Sequence, residues 1–302
     1  MRTLFALCSV LAFSGCAIIV TSEGGEGHIE TMWANSAVQG NGEIISEKRP
    51  VTELHSLNIN GAVQVEVRVG QAASLEIIGD SNLLPLIHTE TVSSAAVSKL
   101  LPSPAPSSDD VQKIWVDQRL ASSQPIRVIY TVAKLDKLVA NGSGRLSVNG
   151  LNGSSLDLQK SGSRTVQLEG KVSDLRITSS GSGAINASAL ESKSASVSMN
   201  GSGALSMGPV QGESVKLEMN GSGALNVIGK VQNLNVSVNG SGSANLSSLL
   251  SQSAQLNTNG SGHITAAVAQ NVVVLANGSG YVTVYGNPAQ RNVNGKHVNF
   301  VN

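Results

Sequence analysis

Apolar residues spaced two positions apart flank a short polar phrase that returns about every twenty residues from residue 141 onward. In one copy, Leu225 and Val227 follow the phrase, and Leu234 and Val236 precede the next one. This alternation has the period of a half-buried β-strand, whereas a helix would need spacings of three and four. The pattern therefore predicts two strands per copy, joined by a tight turn at the phrase and by a second, looser corner.

The phrase itself reads Asn-Gly-Ser-Gly or a close variant. Its copies open at Asn141, Ser161, Ser180, Asn200, Asn220, Asn239, Asn259 and Asn277. The starts lie 18 to 20 residues apart, and such a regular period is typical of a solenoid whose units bury their apolar faces only by stacking. We predict regular stacked rungs over residues 141–285.

Stacked rungs would place identical polar residues above one another at one corner, where side-chain amides bond along the stack. The predicted turn ladder consists of Asn141, Asn200, Asn220, Asn239, Asn259 and Asn277. Asn-Gly is also a strong hairpin signal, so a meander of antiparallel hairpins is the main structural alternative.

The remaining parts of the chain are less regular. Residues 38–140 contain alternating segments at 57–69 and 126–132, which predict an irregular β region. Residues 82–85 predict a short helical turn, and prolines punctuate a loop at 101–110. The tail, residues 286–302, is expected to fold over the end of the stack as a cap, because exposed strand edges invite aggregation.

The first residues predict export. Residues 1–15 have the short apolar stretch of a signal peptide. They run into Phe13-Ser-Gly-Cys16, which resembles the bacterial lipoprotein cleavage box and implies acylation of Cys16. Ala17 resembles the pattern of outer-membrane sorting, and residues 16–37 are interpreted as the lipidated cysteine and a flexible tether. The alternative is an ordinary signal peptide whose cleavage removes Cys16.

Composition narrows the function classes. The formal net charge is +0, which argues against a nucleic-acid footprint. Cys8 lies in the signal peptide and Cys16 at the cleavage box, so the body that follows has no disulfide, thiol nucleophile or thiolate metal site. No later segment has the run of about 18 apolar residues of a membrane helix, so the expected membrane link is the lipid anchor.

Few residues of the chain could support an enzymatic reaction. A polysaccharide lyase or hydrolase on this scaffold would need paired carboxylates or a calcium site. In the repeats only Asp157 and Glu218 fall in outward strand columns, and they are three rungs apart. The five histidines are scattered without metal-site spacing. We therefore predict no enzyme activity, no metal and no cofactor.

The outward columns are polar, built from small residues and almost free of aromatic side chains. At the last regular rung they become apolar and aromatic, at Val273, Leu275, Tyr281 and Tyr285. These four residues form a candidate interaction surface for a partner or a second subunit. The alternative is that the tail covers them.

The order and spacing of several segments resemble the head-GIN domain family, the head domains of auto-transporter adhesins. The segments are Arg-Pro-Val at 49–51, Leu-Asn-Ile-Asn-Gly-Ala-Val-Gln-Val at 57–65, Gly-Asp-Ser-Asn-Leu-Leu at 79–84, the Asn-Gly-Ser-Gly series, and Val-Thr-Val-Tyr-Gly-Asn-Pro at 282–288. The resemblance implies an exported bacterial protein with an all-β, right-handed parallel β-helix and no established activity.

These observations together lead to a functional expectation. The chain is expected to be a non-enzymatic cell-envelope lipoprotein, a scaffold or adhesin-like interaction module in the periplasm or at the surface. An envelope glycan, a protein partner or self-association through the end of the coil would provide its contacts. The alternative is a protein that binds or degrades polysaccharide.

Overall fold

The computed structural model describes residues 37–92 and 110–302. The predicted signal peptide, the lipidation of Cys16, the tether up to residue 36 and the prolines at 102–106 lie outside the described residues.

The described residues form β-strands and one short 3₁₀-helix, η1 (Leu84–Leu86), at the predicted helical turn. The strands before the regular repeats are β1 (Val38–Gln39), β2 (Ile44–Arg49), β3 (Ser56–Asn60), β4 (Gln64–Val69), β5 (Ser74–Asp80), β6 (Ile87–Val92), β7 (Val111–Val116), β8 (Leu120–Ala121), β9 (Arg127–Val132) and β10 (Lys137–Gly142). Those that follow are β11 (Arg145–Gly162), β12 (Thr165–Gly181), β13 (Ile185–Glu191), β14 (Ser194–Gly201), β15 (Ala204–Gly221), β16 (Ala224–Gly240), β17 (Ser243–Gly260), β18 (His263–Gly278), β19 (Tyr281–Tyr285), β20 (Gln290–Gly295) and β21 (Val298–Val301).

The repeats stack in parallel. From β10 to β21 each rung pairs with the next in parallel register. Asn220 lies opposite Asn239, and Asn239 lies opposite Asn259. The predicted parallel β-helix with rungs of about twenty residues is confirmed, and the alternative of a hairpin meander is wrong for this part of the chain.

The predicted apolar columns fill the interior of the coil. The column three positions before each corner is at most 2% exposed, and its members are Leu158, Ile177, Val197, Leu217, Val236, Leu256 and Val274. Burial of one such side chain contributes roughly 1.5–3 kcal/mol. The alternation therefore stabilises the stack along its whole length, because every rung adds the same inward positions.

The irregular front region continues the stack and then closes it. Strands β3 and β4 pair in parallel with β10 and β11, and β7 and β9 extend the same ladders by one layer. Beyond them the pairing changes direction, since β6 is antiparallel to β7, and β5 is antiparallel to both β9 and β2. These antiparallel strands cover the rung edges at this end.

A buried carboxylate holds three segments of the front region together. Asp80 is fully buried and accepts hydrogen bonds from Gly42 N (2.7 Å), Ser123 Oγ (2.9 Å), Ser123 N (3.2 Å) and the Ser122 hydroxyl. The hydrogen bond from Ser122, reinforced by those from Ser123 and Gly42, lowers the pKa of Asp80 to about 2. The ionised form of this carboxyl is therefore the one that the fold stabilises.

The tail adds a further rung. Strands β20 and β21 pair in parallel with β18 and β19, so residues 286–302 cover the edge of the preceding rung. In the core column Val293 is 40% exposed, whereas its neighbour Val274 is fully buried. The Arg291 guanidinium lies 4.3 Å from the centre of the Phe300 ring and shields part of this end.

The corner glycines are required by both conformation and space. Gly240 has φ of +120°, and a Cβ added there would lie 2.6 Å from the Gly221 carbonyl oxygen of the rung below. We expect Gly240→Ala to lower the free energy of unfolding by about 2 kcal/mol or more, because a left-handed backbone and a steric clash add up. Urea denaturation followed by circular dichroism measures the change.

The matched control is Gly153→Ala. Gly153 does not have a left-handed φ, and an added Cβ would lie 3.9 Å from the nearest atom, the Ser155 carbonyl oxygen. This variant should match or slightly exceed the wild-type stability. Equal stability losses in the two variants would contradict a specific role for the corner conformation.

Candidate binding surfaces

The predicted asparagines lie at one corner and form hydrogen-bonded ladders. In the longer ladder each amide nitrogen donates to the side-chain oxygen of the asparagine one rung below, at 2.8–3.1 Å, over Asn200, Asn220, Asn239, Asn259 and Asn277. Asn141 belongs to a separate ladder, in which it donates to Asn60 (2.8 Å) and accepts from Ser161 (2.6 Å). Since every amide is engaged along the stack, this corner is interpreted as structural.

The corner divides the outer surface into two faces. We call the outward side chains two to six positions before each corner phrase face A, and those four to eight positions after it face B. Val273 and Leu275 lie on face A and are 38% and 39% exposed. Tyr281 and Tyr285 lie on face B and are 53% and 42% exposed. The structure therefore places the four predicted surface residues in two pairs on opposite sides of Gly278.

On face B Tyr281 is the middle one of a row of three rings that are tilted against one another by 33° and 46°. Its centroid lies 5.1 Å from that of His263 and 5.2 Å from that of His297, on the rungs before and after it. The sequence did not reveal this row of rings, because His297 lies outside the regular phrase and aligns only through the pairing of β19 with β21.

Face A carries a groove that runs along the coil. Two adjoining depressions of about 500 and 320 Å³ share Ser214 and Lys216. One wall consists of residues six positions before the corners, namely Ser155, Asp174, Ser194, Ser214, Asn233, Ser253 and Asn271. The other wall consists of residues four positions before them, namely Asp157, Arg176, Ser196, Lys216, Asn235, Gln255 and Val273. With rungs about 4.8 Å apart, seven rungs give a groove roughly 29 Å long.

The floor of the groove is the core column between the two walls. Ala195 and Ala254 lie in it, and at 5% and 6% exposed they are the most accessible members of that buried column. Small side chains therefore deepen the groove at two points. The walls offer hydroxyl, amide and charged groups, which are hydrogen-bond donors and acceptors.

The groove brings together carboxylates that the sequence did not place side by side. Asp174 reads as a corner residue in the sequence, yet it lines the same depression as Asp157, on the adjacent rung. Asp174 accepts a hydrogen bond from the Ser194 hydroxyl, and Asp157 Oδ2 accepts one from Gln159 at 3.1 Å. Asp157 Oδ1 is buried without a hydrogen-bond partner among the described residues. Glu218 lies outside this depression.

The part of the chain described by the structure contains no group of three or more histidine, cysteine or carboxylate side chains arranged to hold a metal ion. In residues 37–92 and 110–302, none of the helices has the length and apolar character needed to cross a bilayer.

The geometry defines a class of protein, the parallel β-helix with a polar outer surface. Residues 53–211 and 187–288 match the family described as "Putative auto-transporter adhesin, head GIN domain". Because these matches span most of the sequence, the chain belongs to the head GIN domain family, and the predicted resemblance is confirmed. No curated protein sequence matches the chain.

Solved structures share the fold. A protein described as a putative adhesin from Parabacteroides merdae is 19% identical, with a TM-score of 0.62 over 88% of this chain and 99% of its own. A protein described as a putative lipid binding protein from Parabacteroides distasonis is 20% identical, with a TM-score of 0.57 over 88% of this chain and 100% of its own. These similarities are similarities of fold.

Proposed function

We propose that this chain is a non-enzymatic, adhesin-like interaction module of the bacterial cell envelope that binds an extended polar ligand along the face A groove. The observation that carries the proposal is the continuity of the groove over seven rungs of a rigid stack. The adhesin description of the family supports the role. A lipid on Cys16 would anchor the module at the outer membrane through residues 16–37, in the periplasm or at the surface.

The walls favour a linear envelope glycan as the ligand. Serine, asparagine and glutamine side chains repeat along both walls and match the hydroxyl groups of a polysaccharide. The rung spacing of about 4.8 Å is close to the length of one sugar residue, so successive rungs meet successive sugars in similar geometry. Arg176 and Lys216 add cationic groups, and Asp157 and Asp174 add acceptors.

A bulky residue placed in the groove tests the proposal. We expect Asn235→Trp to weaken binding of the full-length protein to its glycan at least tenfold, because the indole would fill the space between the walls. Asn226→Trp is the matched control, since Asn226 is exposed on face B of the same strand, β16. A panel of purified bacterial envelope polysaccharides, screened on an array and measured by calorimetry, provides the ligand.

The outcome that would contradict the proposal is equal binding by the two variants. Failure of the wild-type protein to bind any polysaccharide of the panel would also contradict it and would direct attention to a protein partner. Both tryptophans are introduced at exposed positions, so thermal unfolding should show similar stability for the two variants.

A polysaccharide-degrading enzyme is the second candidate, and the meeting of Asp157 and Asp174 in one depression is the observation that favours it. Glycosidases use two carboxylates on either side of the scissile bond. The same polysaccharides should therefore be assayed for new reducing ends. Release that disappears in both Asp157→Asn and Asp174→Asn would establish the enzyme and overturn the non-enzymatic assignment.

A further inference from the structure

Face B of the front region has an arginine-rich depression away from the groove. Its volume is about 240 Å³, and its polar lining consists of Gln64, Glu66, Arg127, Arg145 and Ser147. Three separate strands supply these side chains. Arg127 of β9 lies opposite Gln64 of β4, and the pairing of Leu146 with Val65 places Arg145 on the other side of Gln64. With rungs about 4.8 Å apart, the two arginines flank Gln64 with backbones roughly 10 Å apart.

The positive charge in this depression is only partly compensated. Glu66 forms its short contact, 2.7 Å, with Arg68, whereas Arg127 lies 3.5 Å from it. The hydrogen bond from Arg68 lowers the pKa of Glu66, so this carboxylate is ionised and engaged on that side. Arg145 is exposed and forms no ion pair with any of the described residues. Two guanidinium groups therefore face the same space, and the one carboxylate beside them pairs with Arg68 and Arg127 but not with Arg145.

We infer that this depression binds an acidic sugar unit, with its carboxylate held between Arg127 and Arg145. Guanidinium groups bind carboxylates through paired, charge-assisted hydrogen bonds. The neighbouring groups suit the rest of a sugar, because Gln64 and Ser147 donate to and accept from hydroxyls and Glu66 accepts from them. A bare phosphate dianion has no hydroxyl groups to donate to these acceptors.

The inference is independent of the groove, because the arginines lie on face B and the groove lies on face A. A polymer of acidic sugars could contact one site without the other. The two proposals can therefore fail separately, and the groove variant Asn235→Trp shows which site holds the probe.

The test uses the full-length protein and an oligogalacturonate as the probe, with a neutral glucan oligosaccharide of equal length beside it. Calorimetry at physiological salt should show binding of the uronate and at least tenfold weaker binding of the glucan. Arg145→Gln should weaken uronate binding about tenfold, and the double variant Arg127→Gln/Arg145→Gln about a hundredfold, since each removes a charge-assisted contact. Both positions are exposed, so urea midpoints should stay close to the wild-type value.

Arg119→Gln is the matched control, because Arg119 is an exposed arginine that lines neither this depression nor the face A groove. It should bind the uronate within twofold of the wild type. The inference is wrong if Arg119→Gln or the groove variant Asn235→Trp loses as much binding as Arg145→Gln, or if the glucan binds equally well. It is also wrong if inorganic phosphate or vesicles of anionic lipid bind with the same dependence on Arg145, since either result would define a plain anion site.

Discussion

Replacing Arg164 by glycine, the residue that the other copies have at this position of the phrase, is expected to destabilise the protein by about 3 kcal/mol or more. The fourth position is glycine in the other copies, at Gly144, Gly183, Gly203, Gly223, Gly242, Gly262 and Gly280. A consensus argument would predict a gain in stability from this change. The structure predicts a loss.

The expected loss of stability follows from the contacts of the Arg164 side chain. Arg164 is fully buried, and its guanidinium donates to the carbonyl oxygens of Val63 (2.8 Å), Gly61 (2.6 Å) and Asn141 (3.4 Å). These carbonyls belong to the two preceding rungs, so one side chain links the irregular front region to the regular stack. Removal leaves the carbonyls without this donor and opens a cavity, and each effect costs about 1–3 kcal/mol or more.

The desolvation of the Arg164 charge opposes this stabilisation. Burial lowers the pKa of the Arg164 guanidinium to about 10, and no carboxylate offsets the desolvation of its charge. Replacement of a buried ion by an apolar side chain is sometimes neutral, but only when both partners are replaced. Here the carbonyls remain, so Arg164→Met, which fills the space without donating, should still cost roughly 1–3 kcal/mol.

Urea unfolding ranks the stabilities of Arg164→Gly, Arg164→Met and the exposed control Arg176→Met. We expect the glycine variant to be the least stable, the methionine variant to be intermediate, and the control to lie within about 0.5 kcal/mol of the wild type. A glycine variant as stable as the wild type would show that the arginine is only tolerated at this corner. Hydrogen exchange of the amides near Gly61 and Asn141 should report the local opening.

The regular part of this fold was predictable because every rung repeats the same inward columns and the same corner. One copy therefore sets the register of all the others, and Leu217 or Val236 could be assigned to the core from spacing alone. The front region has no such phrase, and its strands return antiparallel at one end. The alignment of Arg127, Gln64 and Arg145 on three neighbouring strands could not be predicted from the sequence. Nothing in residues 38–140 fixes the order of the strands.

The groove was only partly predictable for a related reason. The wall four positions before the corners follows an outward column, so Asp157 and Lys216 were recognised as surface residues. The wall six positions before the corners lies next to the looser corner, where the register shifts between Val148 and Leu151. Asp174 is in register with Ser155 and Ser194, but the apolar alternation that marks the outward columns begins only at Leu175. Asp174 therefore read as a corner residue instead of a neighbour of Asp157.

Asp80→Asn is expected to remove an acid-dependent part of the stability of the front region. The pKa of Asp80 is lowered to about 2, against about 3.9 for an ordinary aspartate. Because the folded-state pKa is the lower one, this carboxyl contributes stability above about pH 4, and the contribution is lost as the pH falls from about 4 to 2. In the asparagine variant the side chain has one acceptor oxygen instead of two and no charge, so the contribution is missing at every pH.

Acid titration of urea stability between pH 7 and pH 2 distinguishes the two proteins. The wild type should lose stability more steeply than Asp80→Asn below pH 4, and the variant should be less stable at neutral pH. The pKa of Glu66 is also lowered, so Glu66 likewise contributes stability that is lost in acid. Because Glu66 is present in both proteins, its contribution to the stability cancels when the two curves are compared. Glu169→Gln, at an exposed position, is the matched control and should follow the wild-type curve. Parallel curves for the wild type and Asp80→Asn would show that the hydrogen bonds from Ser122, Ser123 and Gly42 do not depend on the charge of this carboxyl.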